Sequence, residues 1–158
     1  MHLVKLLYYA DRQAILESGR PITGDQMTSM DRGPVLSEIL NFVRGEKKPG
    51  FDWQEYISKR RSDFTVGLLK AKPESDKLSH YELDILAEVD KQHGLKDRFD
   101  FSAESHRLPE WTDPDGSSIA IEIADILRHE QNSDKDVKDV EEVSRVEWFF
   151  RALDDDAK

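Results

Sequence analysis

The sequence predicts a predominantly α-helical α+β domain, a compact helical body with a small antiparallel β-ribbon. Three observations predict it: apolar residues recur at helical three-and-four spacing in several separate stretches, short runs alternate with period two, and Gly or Pro punctuates the chain between them. With 158 residues the chain has the length of one domain, and 37% hydrophobic against 35% charged residues makes it a polar one.

Leu3, Leu6, Leu7, Ala10 and Ala14 trace one helical face, and Lys5, Asp11, Arg12 and Glu17 fall mostly off it. The spacing predicts a core helix with a wet side. Gly19 supplies the left-handed residue that closes such a helix near Ser18, and Pro21 prevents its resumption. Residues 20–25, RPITGD, form a turn in which Pro21 fixes one torsion, Gly24 takes a positive one and Asp25 accepts from nearby N–H groups. Residues 27–30 then run extended. Gly33 and Pro34 end that run, and Pro34 opens a second helix, with Val35, Leu36, Ile39, Leu40 and Val43 as its apolar face and Gly45 as its stop.

Beyond a polar loop at 46–50, Trp53, Tyr56 and Ile57 predict a short helix capped by Asp52. Lys59, Arg60 and Arg61 form a basic triplet at its end, either complementing the helix dipole or contacting nucleic acid or an acidic partner. Phe64, Val66 and Leu68 alternate as a strand over 64–69, whose expected mate in the ribbon is the extended run at 27–30. Ser79 and Glu82 have capping-box spacing at the head of a helix that continues through Ile85, Leu86 and Val89 to Gly94. Residues 99–106 predict another short helix before Pro109, with His106 bonding backbone and Trp111 filling the core. After a turn-rich loop at 112–118, Ile119, Ile121 and Ile123 lead through a brief extended stretch into a helix reaching about His129. A polar linker at 130–136 precedes a last helical stripe over 137–153. The expected organisation is a domain over residues 1–130 with a C-terminal helical extension over 131–158.

The segments KLLYYADR, GRPITGD and SMDRGPVLSEIL, in that order, resemble the core of the Panacea antitoxin family, also called SocA-like antitoxins. The resemblance extends through Ser79 with Glu82 and His106 with Trp111, and covers roughly residues 3–127. It carries over the family-motif positions Lys5, Leu6, Leu7, Tyr8, Asp11, Arg12, Pro21, Gly24, Asp25, Gly33, Pro34, Ser37 and Glu38, expected to be mainly structural. Arg32 stands where the family often has His or another large residue before Gly-Pro, and the chain begins almost inside the first motif. The resemblance implies the antitoxin of a toxin–antitoxin pair. Its partner would be a cognate toxin encoded next to it, neutralised by direct binding, with delivery to a protease as one route.

Net charge is −10 and uneven: residues 1–72 hold 12 Lys and Arg against 9 Asp and Glu, whereas residues 73–158 hold 11 against 24. That imbalance disfavours a broad nucleic-acid surface and can steer a basic partner. The absence of Cys removes disulfide, thiolate and Cys-ligated zinc chemistry. With no long apolar run and no leader pattern, the expected location is the cytoplasm, away from membranes. No nucleophile, base and stabiliser group together, there is no phosphate-binding Gly loop, and no enzyme activity or cofactor is expected. Two alternatives remain. Asp11, Asp25 and Asp31 would converge on a divalent cation in a metal-dependent enzyme, or the helix after Gly33-Pro34 would read DNA in a regulator resembling a winged helix. Val140, Trp148, Phe149 and Phe150, aromatic and apolar among acidic residues, are the candidate partner-binding positions.

Overall fold

The computed structural model describes residues 2–48, 53–63, 65–70 and 77–129. The expected extension, with Val140, Trp148, Phe149 and Phe150, lies outside the described residues, as do Asp52 and Phe64. Helix α1 (His2–Ser18) ends as its sequence predicts, on Gly19 at φ 76°, whose N–H donates to the Ile15 carbonyl at 2.8 Å. Its apolar stripe is the centre of the molecule. Val4, Tyr8 and Ile15 are completely buried in a core shared with residues of the sheet and of α6 (Ile123–His129), while Ala10 and Ala14 meet Ile85 and Val89 of α4 (His80–His93). Small alanines on this side let the two helix axes approach closely. Each buried aliphatic side chain contributes about 1.5–3 kcal/mol.

The sheet departs from expectation in its partners. Strand β1 (Met27–Ser29) lies in the middle, between β2 (Val35–Leu36) and β3 (Ile119–Ala120), both antiparallel to it, in the order β2-β1-β3. Among its described residues, the alternating run expected to be its mate contributes a single antiparallel bridge, Leu68 opposite Ile57, beside α3 (Trp53–Tyr56). Met27 faces Leu36 and Thr28 faces Val35, so the turn through Gly33 and Pro34 is a hairpin connection rather than a helix start. A short loop makes that pairing nearly local, whereas a pairing with 64–69 requires closing a longer loop.

Helix α2 (Ser37–Arg44) consequently begins three residues later than Pro34. Gly45 closes it at φ 76°. Helix α4 (His80–His93) has the complete capping box of Ser79 and Glu82, and ends at Gly94 in right-handed rather than left-handed geometry. Asp97 caps α5 (Arg98–Ser105), accepting from the N–H groups of Phe99 and Asp100. Helix α6 (Ile123–His129) follows β3 and returns Ala124, Ile126 and Leu127 to the main core against α1. Among the described residues no helix is long and apolar enough to cross a membrane.

Candidate functional site

Helix α1 presents Lys5, Tyr8 and Arg12 at positions i, i+3 and i+7, one stripe of a helix, with Asp11 beside it. Read from sequence, the charges belong to a wet side. The structure corrects this, because Lys5 is 2% and Asp11 0% exposed, and each charge has a specific partner. A buried charge is tolerable only when it is paired or hydrogen-bonded, and these three residues satisfy that condition through three different segments of chain.

Lys5 reaches the hairpin and α5 together. Its Nζ donates to Ser105 Oγ at 2.8 Å and to the Pro34 carbonyl at 3.4 Å. Ser105 Oγ in turn donates to the Ser102 carbonyl, and Ser102 Oγ to the Arg32 carbonyl, both at 2.8 Å. Gly33 sits at this crossing with φ +92°, and a Cβ there would stand 2.1 Å from Ser105 Oγ and 2.5 Å from Lys5 Nζ. Only glycine fits, on both backbone and steric grounds. Burial lowers the Lys5 pKa from 10.5 to about 8.

Asp11 anchors the GRPITGD turn. Its Oδ1 accepts from the N–H groups of Ile22 at 2.8 Å and Thr23 at 2.9 Å, and its Oδ2 from the Thr23 hydroxyl. Burial raises its pKa, and these hydrogen bonds oppose the rise. Asp25, expected to serve its own turn, instead accepts at 3.0 and 2.8 Å from the N–H groups of Glu38 and Ile39, thirteen and fourteen residues on. That carboxylate caps α2, whose N-cap Leu36 has no polar side chain. Asp31, expected in a solvated turn, accepts from the Gly116 N–H at 3.0 Å. The three carboxylates thus bind three separate sets of donors. Among the described residues no cluster of acidic or His side chains has metal-site spacing.

Tyr8 and Arg12 converge on Glu110, whose side chain is fully buried. Tyr8 OH donates to Oε1 at 2.8 Å, and Arg12 donates through Nε to Oε1 at 2.7 Å and through its terminal nitrogen to Oε2 at 3.4 Å. One residue on, Trp111 Nε1 donates to the Met30 carbonyl at 3.1 Å. Trp111 is therefore half-buried and oriented by a hydrogen bond, rather than plugging the core. His106, expected to bond backbone, stacks on Trp111 with ring centroids 4.4 Å apart, and its buried Nε2 meets no hydrogen-bond partner. Glu110, Ser105 and Thr23 were missed at the sequence level. The signal for Glu110 was an acidic residue between Pro109 and Trp111, adjacent to an aromatic the family motif uses.

Chemically the constellation is a set of cross-links. Lys5, Asp11, Arg12 and Glu110 tie α1 to α5, to the two turns and to the Glu110 segment, and Pro21, Gly24 (φ 64°), Ser37, Glu38 and the Ser79–Glu82 box shape or cap the elements around it. Leu6 and Leu7 pack against the two halves of the core.

Two concavities lie on the surface, the first sharing Arg12 with this network. A cleft of about 180 Å³ between α1 and α4 is lined by Tyr9, Arg12, Gln13, Leu16, Val89 and His93. A larger groove of about 450 Å³ lies where the end of α2 meets α3 and is lined by Phe42, Trp53 and Ile57 together with Arg44, Lys47, Lys48, Lys59 and Arg60. It contains the first two members of the basic triplet.

Residues 3–112, about seven-tenths of the chain, match the family model described as antitoxin SocA-like, Panacea domain. No curated protein and no solved structure gave a significant match.

Proposed function

The chain belongs to the SocA-like antitoxin family of the Panacea domain, and on that premise we propose that it is the antitoxin of a toxin–antitoxin pair, neutralising its cognate toxin by direct, stoichiometric protein binding. The observation that carries the reading is the family match across residues 3–112. The geometry supports it, since the motif side chains Lys5, Asp11 and Arg12 are occupied by internal partners, Glu110 among them. Residues engaged that way register the elements of the domain against one another. The family suggests a non-enzymatic role accordingly. Binding can neutralise by covering the toxin's working surface or by presenting the toxin to a protease, and both begin with a complex.

The interface extends, on this reading, to the stretch 137–153, where Val140, Trp148, Phe149 and Phe150 stand among acidic residues. Aromatic anchors within a charged rim combine affinity with partner selection. Co-expression with the product of the adjacent open reading frame tests the whole reading. That product alone should arrest growth, and this protein should restore growth and co-purify with it. Rescue with no complex, accompanied by repression of the operon, would replace direct neutralisation with DNA binding.

A further inference from the structure

We propose that the groove between the end of α2 and α3 is a contact surface for the toxin and takes an acidic segment of that protein carrying an apolar or aromatic anchor. The identity of the partner rests on the antitoxin reading above; the chemistry of the segment rests on the groove. In a chain of net charge −10, every ionisable residue that lines this groove among the described residues is a cation: Arg44, Lys47, Lys48, Lys59 and Arg60.

Internal needs explain only some of them. Arg44 lies in the last turn of α2, where a cation complements the helix dipole, and is 3.8 Å from Glu46. Lys47 pairs with Glu38. Lys48 and Lys59 are exposed and have no carboxylate partner among the described residues. Three other lysine or arginine positions near them on one concave surface, Arg44, Lys47 and Arg60, raise the local potential above that of the chain as a whole.

The floor fixes the second half of the specificity. Phe42 and Trp53 are half-buried, their rings 5.8 Å apart and tilted by 51°, and Ile57 continues the apolar surface. At about 450 Å³ the groove falls in the size range that encloses a few side chains of a ligand. An aromatic floor under a cationic rim suits a leucine or aromatic side chain flanked by Asp or Glu. A polynucleotide would meet the same cations, but its backbone extends past the groove over a molecule that carries 24 acidic residues in its second half.

The test uses the full chain and the variant Lys48→Glu/Lys59→Glu, with Lys48→Ser/Lys59→Ser as a milder pair should the first fail to fold. Both positions are exposed, so an unchanged melting temperature is expected. In the co-expression assay the wild type should rescue growth, and a folded variant should bind the toxin at least about tenfold more weakly and rescue poorly. A folded variant that binds and rescues like the wild type overturns the proposal. Failure of the wild type to rescue counts against the antitoxin reading alone, and a second measurement then decides the groove. In it, random twelve-residue peptides displayed on phage are selected on wild-type protein. Clones with several Asp or Glu around a Leu, Phe or Trp, lost on the charge-reversed variant, support the groove chemistry. No enrichment, enrichment of neutral or basic clones, clones indifferent to the variant, or displacement by oligo-dT at lower concentration than by an acidic peptide would each overturn it.

Discussion

Lys5 is where burial and charge conflict most directly, and the conflict has a measurable pH signature. Its amine titrates near 8 in the folded chain against 10.5 ordinarily, so between those values the folded state binds fewer protons than the unfolded state. Stability contributed by the neutral amine therefore grows as pH rises through that window and is lost as pH falls through about 8. Tyr8 and Tyr9 act oppositely at higher pH, because burial raises both, and the folded chain keeps protons that the unfolded chain releases above pH about 10. Urea unfolding at pH 7.5 and 9.5 should show the wild type gaining about 2 kcal/mol at the higher pH. Lys5→Met should gain almost nothing, and an equal gain in both proteins would assign the effect elsewhere. Gly33 gives a second residue-scale prediction. Gly33→Ala combines a left-handed backbone with a Cβ driven into Ser105 and Lys5, and should cost about 3 kcal/mol or more. At Gly45, also left-handed but facing open space, the same change should cost only about 1 kcal/mol. Comparable melting temperatures for the two variants would contradict the crowding at Gly33. None of this was legible in the sequence. A lysine among leucines reads as solvated by default, and only the arrival of Ser105, a hundred residues later, shows why it can be inside.

At the scale of elements, signals contained within one turn of chain were readable and those requiring a distant partner were not. Gly19 ended α1, and Ser79 with Glu82 opened α4, because both devices act on backbone within four residues. The ribbon was misassigned because strands of two or three residues carry no usable period, so the clearer alternation of Val66 and Leu68 was chosen over Val35–Leu36 and Ile119–Ala120. Asp25 was read as a turn residue and is the cap of α2, supplied from thirteen residues upstream. Asp25→Ala should therefore destabilise the protein by about 1–2 kcal/mol, with the amides of Glu38 and Ile39 showing the earliest loss of hydrogen-exchange protection. Protection lost first in the turn at 20–25 would return the carboxylate to a local role.

The molecule as a whole is organised by one helix. Helix α1 packs on α4, β2 and α6, and its charged residues bind the segments in between, so the fold is a set of short elements registered against a single long one. The Arg12–Glu110 tie is an ion pair whose carboxylate is fully buried. Glu110→Ala takes a buried acceptor away from both Tyr8 and Arg12 and should cost about 2–3 kcal/mol, visible as a clear fall in Tm. Because the core built by the described residues already takes in Ile126 and Leu127, we propose that residues 131–158 are an extension the domain does not need to fold. A chain ending at Asn132 should melt cooperatively near the Tm of the full protein yet fail to protect against the toxin. An unfolded product, or full protection, would remove the extension from the interface. The family and the broad architecture were legible because three motifs stood in order within forty residues. The proposed contact groove was not, since its cations come from α2 and from the segments after α2 and after α3, and only folding brings them together. The most direct test of neutralisation by binding is size-exclusion chromatography with light scattering on this protein mixed with the purified product of the adjacent open reading frame. The account predicts a stable complex of fixed stoichiometry whose formation tracks the loss of toxicity; loss of toxicity at substoichiometric amounts, with the two proteins eluting separately, would contradict it.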